Sequence, residues 1–112
     1  MKVAVIGSRG IESVNLEEYL PKECDEIVSG GAKGVDRCAA AFAKEKGMKL
    51  TEFFPQYERY GRAAPIKRNE EIANCADEAI AFWDGKSKGT KHTIDYFEKL
   101  GKRVKIVIVE ND

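Results

Sequence analysis

Residues 27 to 47 read IVSGGAKGVDRCAAAFAKEKG, with Gly30, Gly31 and Gly34 inside five positions, between a short apolar run and an alanine-rich stretch of helical spacing. Glycine has no Cβ, so a corner of this kind lets peptide N–H groups come close to a ligand. A helix that starts there offers unpaired N–H groups and the positive end of its dipole to a phosphate or carboxylate. A turn combined with tight helix packing would ask for the same residues. Two more segments share the character: Gly7-Ser8-Arg9-Gly10 and Asp84-Gly85-Lys86-Ser87-Lys88-Gly89-Thr90.

A fourth segment, FFPQYERYGRAAPIKRNEEIANCA from Phe53, is longer than a simple connection and carries Tyr57, Tyr60, Arg62, Arg68 and Asn69. Long connections in small domains tend to be functional. A tyrosine ring can stack on a base or pack half-buried, and Arg68 can fork onto a phosphate or carboxylate. Arg68-Asn69 stand near the start of a helix whose buried stripe would be Ile72, Ala73 and Ala76. Lys33, Lys86 and Lys88 read as solvated charges, and His92 as an exposed residue of a helix start.

The elements that must position these residues alternate along the chain. Short runs rich in β-branched or aromatic residues predict strands at 2–7, 25–29, 49–54, 78–83 and 103–109. Helical spacing predicts helices at 11–21, 34–46, 63–76 and 89–100, the second and fourth stopped by Gly47 and Gly101. Alternating β and α elements require crossovers and so a parallel sheet covered by helices on both faces. VAVI and VKIVIV read as central strands, apolar on both sides. The expected fold is a Rossmann-like α/β sandwich of five parallel strands in the order 3-2-1-4-5. In such folds ligands bind beyond the carboxyl ends of the strands, where the three glycine-bearing loops would surround one crevice.

The 112 residues read as one domain. Lys and Arg total 19, as do Asp and Glu, so zero formal charge argues against a nucleic-acid or anionic-membrane partner. The opening MKVAVIGSRG is too short an apolar run for a signal peptide or membrane span, which points to a cytoplasmic protein. Cys24, Cys38 and Cys75 are odd in number, widely spaced and accompanied by one histidine, so neither a disulfide framework nor a zinc site is expected. No metal or cofactor is called for.

The set GSRxI, SGGAKGVD, YGRAAPIKRN and DGKSKGT, in this order over nearly the whole chain, resembles the SLOG superfamily of Rossmann-like nucleotide-binding domains, in its YspA and YpsA-related branch. The resemblance implies a pocket for a nucleotide or nucleotide-derived ligand built from Gly7, Ser8, Arg9, Gly30, Gly31, Gly34, Asp36, Arg68, Asn69, Gly89 and Thr90. The Lonely Guy phosphoribohydrolases are enzymatic relatives whose RK and PGGxGTxxE motifs supply an arginine and a glutamate. Aligned through Gly89-Thr90, the arginine falls on Arg68, the lysine on Asn69 and the glutamate on Thr93, which is no acid. The resemblance therefore implies a sensor or sequestering domain. The alternative is a nucleotide hydrolase with Asp84 or Asp36 in place of the glutamate and Arg68 as a third catalytic candidate. A DNA-associated module, by likeness to DNA-processing protein A, is the weaker reading. Relatives of this kind often pair, and apolar positions on the first and third helices could serve a homodimer.

Overall fold

The computed structural model describes residues 1–8, 10–31 and 34–109. Strands β1 (Lys2–Gly7), β2 (Glu26–Ser29), β3 (Lys49–Glu52), β4 (Glu78–Trp83) and β5 (Val104–Ile108) form one parallel sheet in the order β3-β2-β1-β4-β5. The expected α/β architecture and strand order are both observed. Helices α1 (Leu16–Tyr19), α2 (Val35–Lys46), α3 (Tyr57–Tyr60), α4 (Ala64–Cys75) and α5 (Lys88–Lys99) connect them, with a 3₁₀ turn at Gly61–Ala63.

Side chains alternate across a strand, and β1 divides its residues accordingly. Val3 and Val5 join Ile27, Ile80 and Phe82 beneath α1 and α2, where Leu16, Val35, Ala39 and Ala43 meet them. Ala4 packs with Val28, Ala79 and, from α4 and α5, Ile72, Ala73 and Phe97; Ile6 packs with Ala81 and Ile94. An unbroken apolar run is what a strand covered on both faces requires. The alanines of the second face hold α4 and α5 close to the sheet.

Two expectations are corrected. The first helix does not cover 11–21; it is a single turn. The Ile11 N–H turns back to the Ser8 carbonyl at 3.1 Å, and Ser13, Val14 and Asn15 are poor helix residues. At the other end Pro21 forces Leu20 out of helical geometry, with ψ at 135°. VKIVIV is also not a central strand. β5 is an edge, and Ile106 and Ile108 are 45% and 58% exposed. Composition looks the same in a buried strand and in an apolar edge strand; only the sheet order separates them. Of the long connection after β3, residues 57–63 are organised into α3 and the 3₁₀ turn.

Candidate functional site

β1 is followed by Ser8, which is 2% exposed and fully engaged. Its N–H donates to the Phe82 carbonyl at 3.0 Å, and its Oγ accepts the Asp84 N–H at 3.3 Å. Ser8 Oγ also lies 3.3 Å from Thr90 Oγ1, and Thr90 Oγ1 donates to Ser87 Oγ at 3.3 Å. A hydroxyl carries a single proton, so the direction of this chain is fixed. Ser8 donates to Thr90, Thr90 to Ser87, and the Ser87 proton remains to be given elsewhere. These hydroxyls tie β1 to the loop between β4 and α5.

Asp84 organises the same loop. Its Oδ1 accepts the N–H groups of Lys86 and Ser87, both at 2.8 Å. These bonds, that from Ser87 foremost, hold its carboxyl below the ordinary value of 3.8. Trp83 Nε1 donates to the Ser87 carbonyl at 3.0 Å and closes the turn. Ser87 precedes α5 without a side-chain cap, as Gly34 precedes α2.

In the lining of the crevice, Pro65, Arg68, Asn69 and Ile72 lie at positions i, i+3, i+4 and i+7 of one α4 face. Arg68 is held at two nitrogens: Nε donates to Asn69 Oδ1 at 2.8 Å, and Nη1 to the Gly30 carbonyl at 2.9 Å. A Cβ at Gly30 would fall 2.6 Å from Arg68 Nη1 and 3.1 Å from Asp36 Oδ2, so this position must be glycine for the guanidinium to dock. Gly31 has φ at 67°, and a Cβ there would meet Phe54 Cε1 at 2.3 Å. At Gly7 a Cβ would strike Val35 Cγ2 at 2.4 Å. Side chains of the protein itself occupy the space beside all three.

Together these elements enclose a cleft of about 580 Å³ at the carboxyl edge of the sheet, within the range of small-molecule sites. Of the expected site residues, Gly7, Gly30, Gly31, Asp36, Arg68, Asn69, Gly89 and Thr90 line it. Ser8 stands behind Thr90, Gly34 sets the start of α2 at φ 75°, and Asp84 serves the loop; these three are not in the lining. Arg9, like Lys33, lies outside the described residues. Lys86, Lys88 and His92 are exposed, His92 standing 3.8 Å from Glu70. Tyr57 lines the cleft, whereas Tyr60 is half-buried with the Arg59 guanidinium 5.1 Å from its ring centroid. Thr93 is in the lining and 2% exposed, and its hydroxyl donates to the Gly89 carbonyl at 2.9 Å.

Sequence reasoning missed Ile6, Phe54, Pro55, Pro65 and Ser87 as cleft residues. The spacing of Pro65 from Arg68, Asn69 and Ile72 was a usable signal. Phe54 gave none, because an aromatic at a strand end is as often core, yet here it is 59% exposed.

The fold and cleft define a class: a parallel, Rossmann-like α/β protein with a small-molecule-sized cavity where the strand order reverses between β1 and β4. Among known proteins, the chain is 33% identical over 81 residues to the Gene 61 protein of Mycobacterium phage D29. That alignment covers 67% of this chain and 65% of the phage protein, so the match spans just under two thirds of the relative's length. No protein-family model matches the chain, and no solved structure matches it.

Proposed function

We propose that this protein binds a nucleotide or nucleotide-derived phosphate ligand at the carboxyl edge of its sheet and acts as a sensor or sequestering domain. The observation that carries the reading is the mixed lining of the cleft. Phe54, Pro55, Tyr57, Pro65 and Ile72 give it apolar and aromatic surface, and Gly7, Gly30, Gly31, Gly89, Ser87 and Thr90 give it glycine backbone and hydroxyl groups. A ligand that carries both a planar ring and an anion matches such a lining. The starts of α2 and α5, neither closed by a side-chain cap, favour the anion. The SLOG-like motifs noted in the sequence supply the same loops.

The runner-up is a nucleotide hydrolase of phosphoribohydrolase type with a non-standard acid. Asp36 favours it, as a carboxylate in the cleft lining beside Arg68. Asp84 is the poorer acid, since its carboxylate is taken up by two loop N–H groups. The three cysteines, all free thiols, accord with a cytoplasmic setting. Among the described residues no helix is long and apolar enough to cross a membrane.

A thermal-shift screen over nucleoside mono-, di- and triphosphates, followed by chromatography for released base, tests both readings. Stabilisation without base release supports the binding domain. Stabilisation with release supports the hydrolase, and no shift with any nucleotide rejects both.

A further inference from the structure

The contacts of Arg68 and Asn69 redistribute their roles. We infer that Asn69 is the side chain that reads the ligand, as a fixed hydrogen-bond donor, and that Arg68 acts through it as a positioning residue. This rests on the nucleotide reading of the cleft.

Arginine only donates. The atom of Asn69 that faces Arg68 Nε at 2.8 Å must therefore be the amide oxygen, since the flipped amide would set two donors against each other. Arg68 cannot swing away freely, because Nη1 is anchored to the Gly30 carbonyl through a gap that exists only because Gly30 lacks Cβ. Asn69 is thus locked with its carbonyl spent and its NH₂ left over. Among the described residues that NH₂ has no hydrogen-bond partner, while Asn69 lines the cleft and is half-buried.

The start of α5 has the same polarity. The hydroxyl chain from Ser8 through Thr90 ends on Ser87 and leaves the Ser87 proton to be donated, and Ser87 is also in the lining. Donors from α4 and from the start of α5 thus face one space. The ligand must bring a hydrogen-bond acceptor there: a phosphate or ribose oxygen, a base carbonyl or a ring nitrogen. An asparagine serves this purpose because its amide keeps one orientation under the clamp, where a lysine would be a mobile point charge.

The test is isothermal titration of wild type, Asn69→Asp, Asn69→Ala and Arg68→Lys with AMP, GMP, CMP, UMP and the corresponding nucleosides. Asn69→Asp is the decisive variant. A carboxylate keeps and strengthens the bond from Arg68 Nε, so its melting temperature should equal or exceed that of wild type. It replaces a donor by an acceptor, so affinity for the best mononucleotide should fall by about tenfold or more. A merely structural asparagine would move both quantities together. Asn69→Ala should lose similar affinity with the fold retained. Arg68→Lys should lose part of it, because one ammonium cannot hold both Asn69 and Gly30. A loss for the mononucleotide with none for its nucleoside would put the acceptor on the phosphate; equal losses would put it on the nucleoside. Wild-type affinity in folded Asn69→Asp and Asn69→Ala overturns the assignment alone. If wild type binds no probe, the nucleotide reading falls and this assignment falls with it.

Discussion

Gly31 and Gly89 both line the cleft, for different physical reasons. Gly31 sits at φ 67° with Phe54 against it, while a Cβ at Gly89 would meet nothing within 4 Å. Gly31→Ala should therefore cost about 1 to 2 kcal/mol through backbone conformation alone, whereas Gly89→Ala should leave stability unchanged or slightly raised. Urea unfolding of the two variants checks this, and equal losses would contradict it. Because Gly31 answers to Phe54, loss of binding in a bulky variant there would report on the aromatic wall as well as on the loop. Arg68→Ala combines two effects. Affinity for the best nucleotide should fall about tenfold or more, as in Asn69→Ala, because the Asn69 amide loses the clamp that orients it. Melting temperature should also drop, since α4 loses its tie to the Gly30 carbonyl. An unchanged melting temperature would show that the tie contributes nothing to the fold.

Between elements, hydrogen bonds to carbonyls and loop amides decide where helices begin and end. Lys102 Nζ donates to the carbonyls of Ala73 at 2.7 Å, Ala76 at 2.8 Å and Asn74 at 3.3 Å, closing the C-terminus of α4 from the segment before β5. A cation there complements the helix dipole and the orphan carbonyls. Lys102→Met should destabilise the protein by about 1 to 2 kcal/mol in urea unfolding, without changing affinity for a cleft ligand. At the start of α5, Asp84 gives a pH dependence. Its folded-state pKa lies below the ordinary 3.8, so its contribution is complete above the unfolded value and is lost as pH falls through the folded one. Melts at about pH 3 and about pH 7 should differ less in Asp84→Asn, whose amide oxygen can still accept both N–H groups, than in wild type. Identical differences would remove Asp84 from the acid sensitivity.

For the molecule as a whole, the proposed reading as a binding domain is tested at position 93. The wild-type chain has a threonine there, with its hydroxyl bonded to the Gly89 carbonyl and its side chain buried. It should bind nucleoside monophosphates with little release of free base. Release at about ten turnovers per second, a median enzyme rate, would overturn the binding-domain reading and point to Asp36. Thr93→Glu would bury a carboxylate that needs its own hydrogen bonds to stay ionised, so a gain of slow base release would require the ligand itself to supply them. With a formal charge of zero, the protein should also give no salt-sensitive shift of duplex DNA in a gel, and such a shift would revive the DNA-associated reading.

The sequence by itself determined the alternation of elements, and with it the parallel sheet and the edge at which the loops gather, because period and turn chemistry are local properties. It also grouped Gly30, Arg68, Asn69 and Thr90, which the fold brings to the lining of one cleft. It could not assign their roles. Whether a glycine gives way to a ligand or to a neighbouring side chain depends on what packs beside it, and Arg68, Asp36 and Phe54 reach Gly30 and Gly31 from distant segments of the chain. In the same way, VKIVIV became an edge strand through its place in the sheet, and the first helix is one turn, with Ile11 turned back onto the Ser8 carbonyl and packed in the core. Tertiary structure decided that Arg68 Nη1 is spent on the Gly30 carbonyl, which fixes the guanidinium against which the Asn69 amide is oriented. That outcome follows from a pairing across the fold, which no stretch of sequence contains.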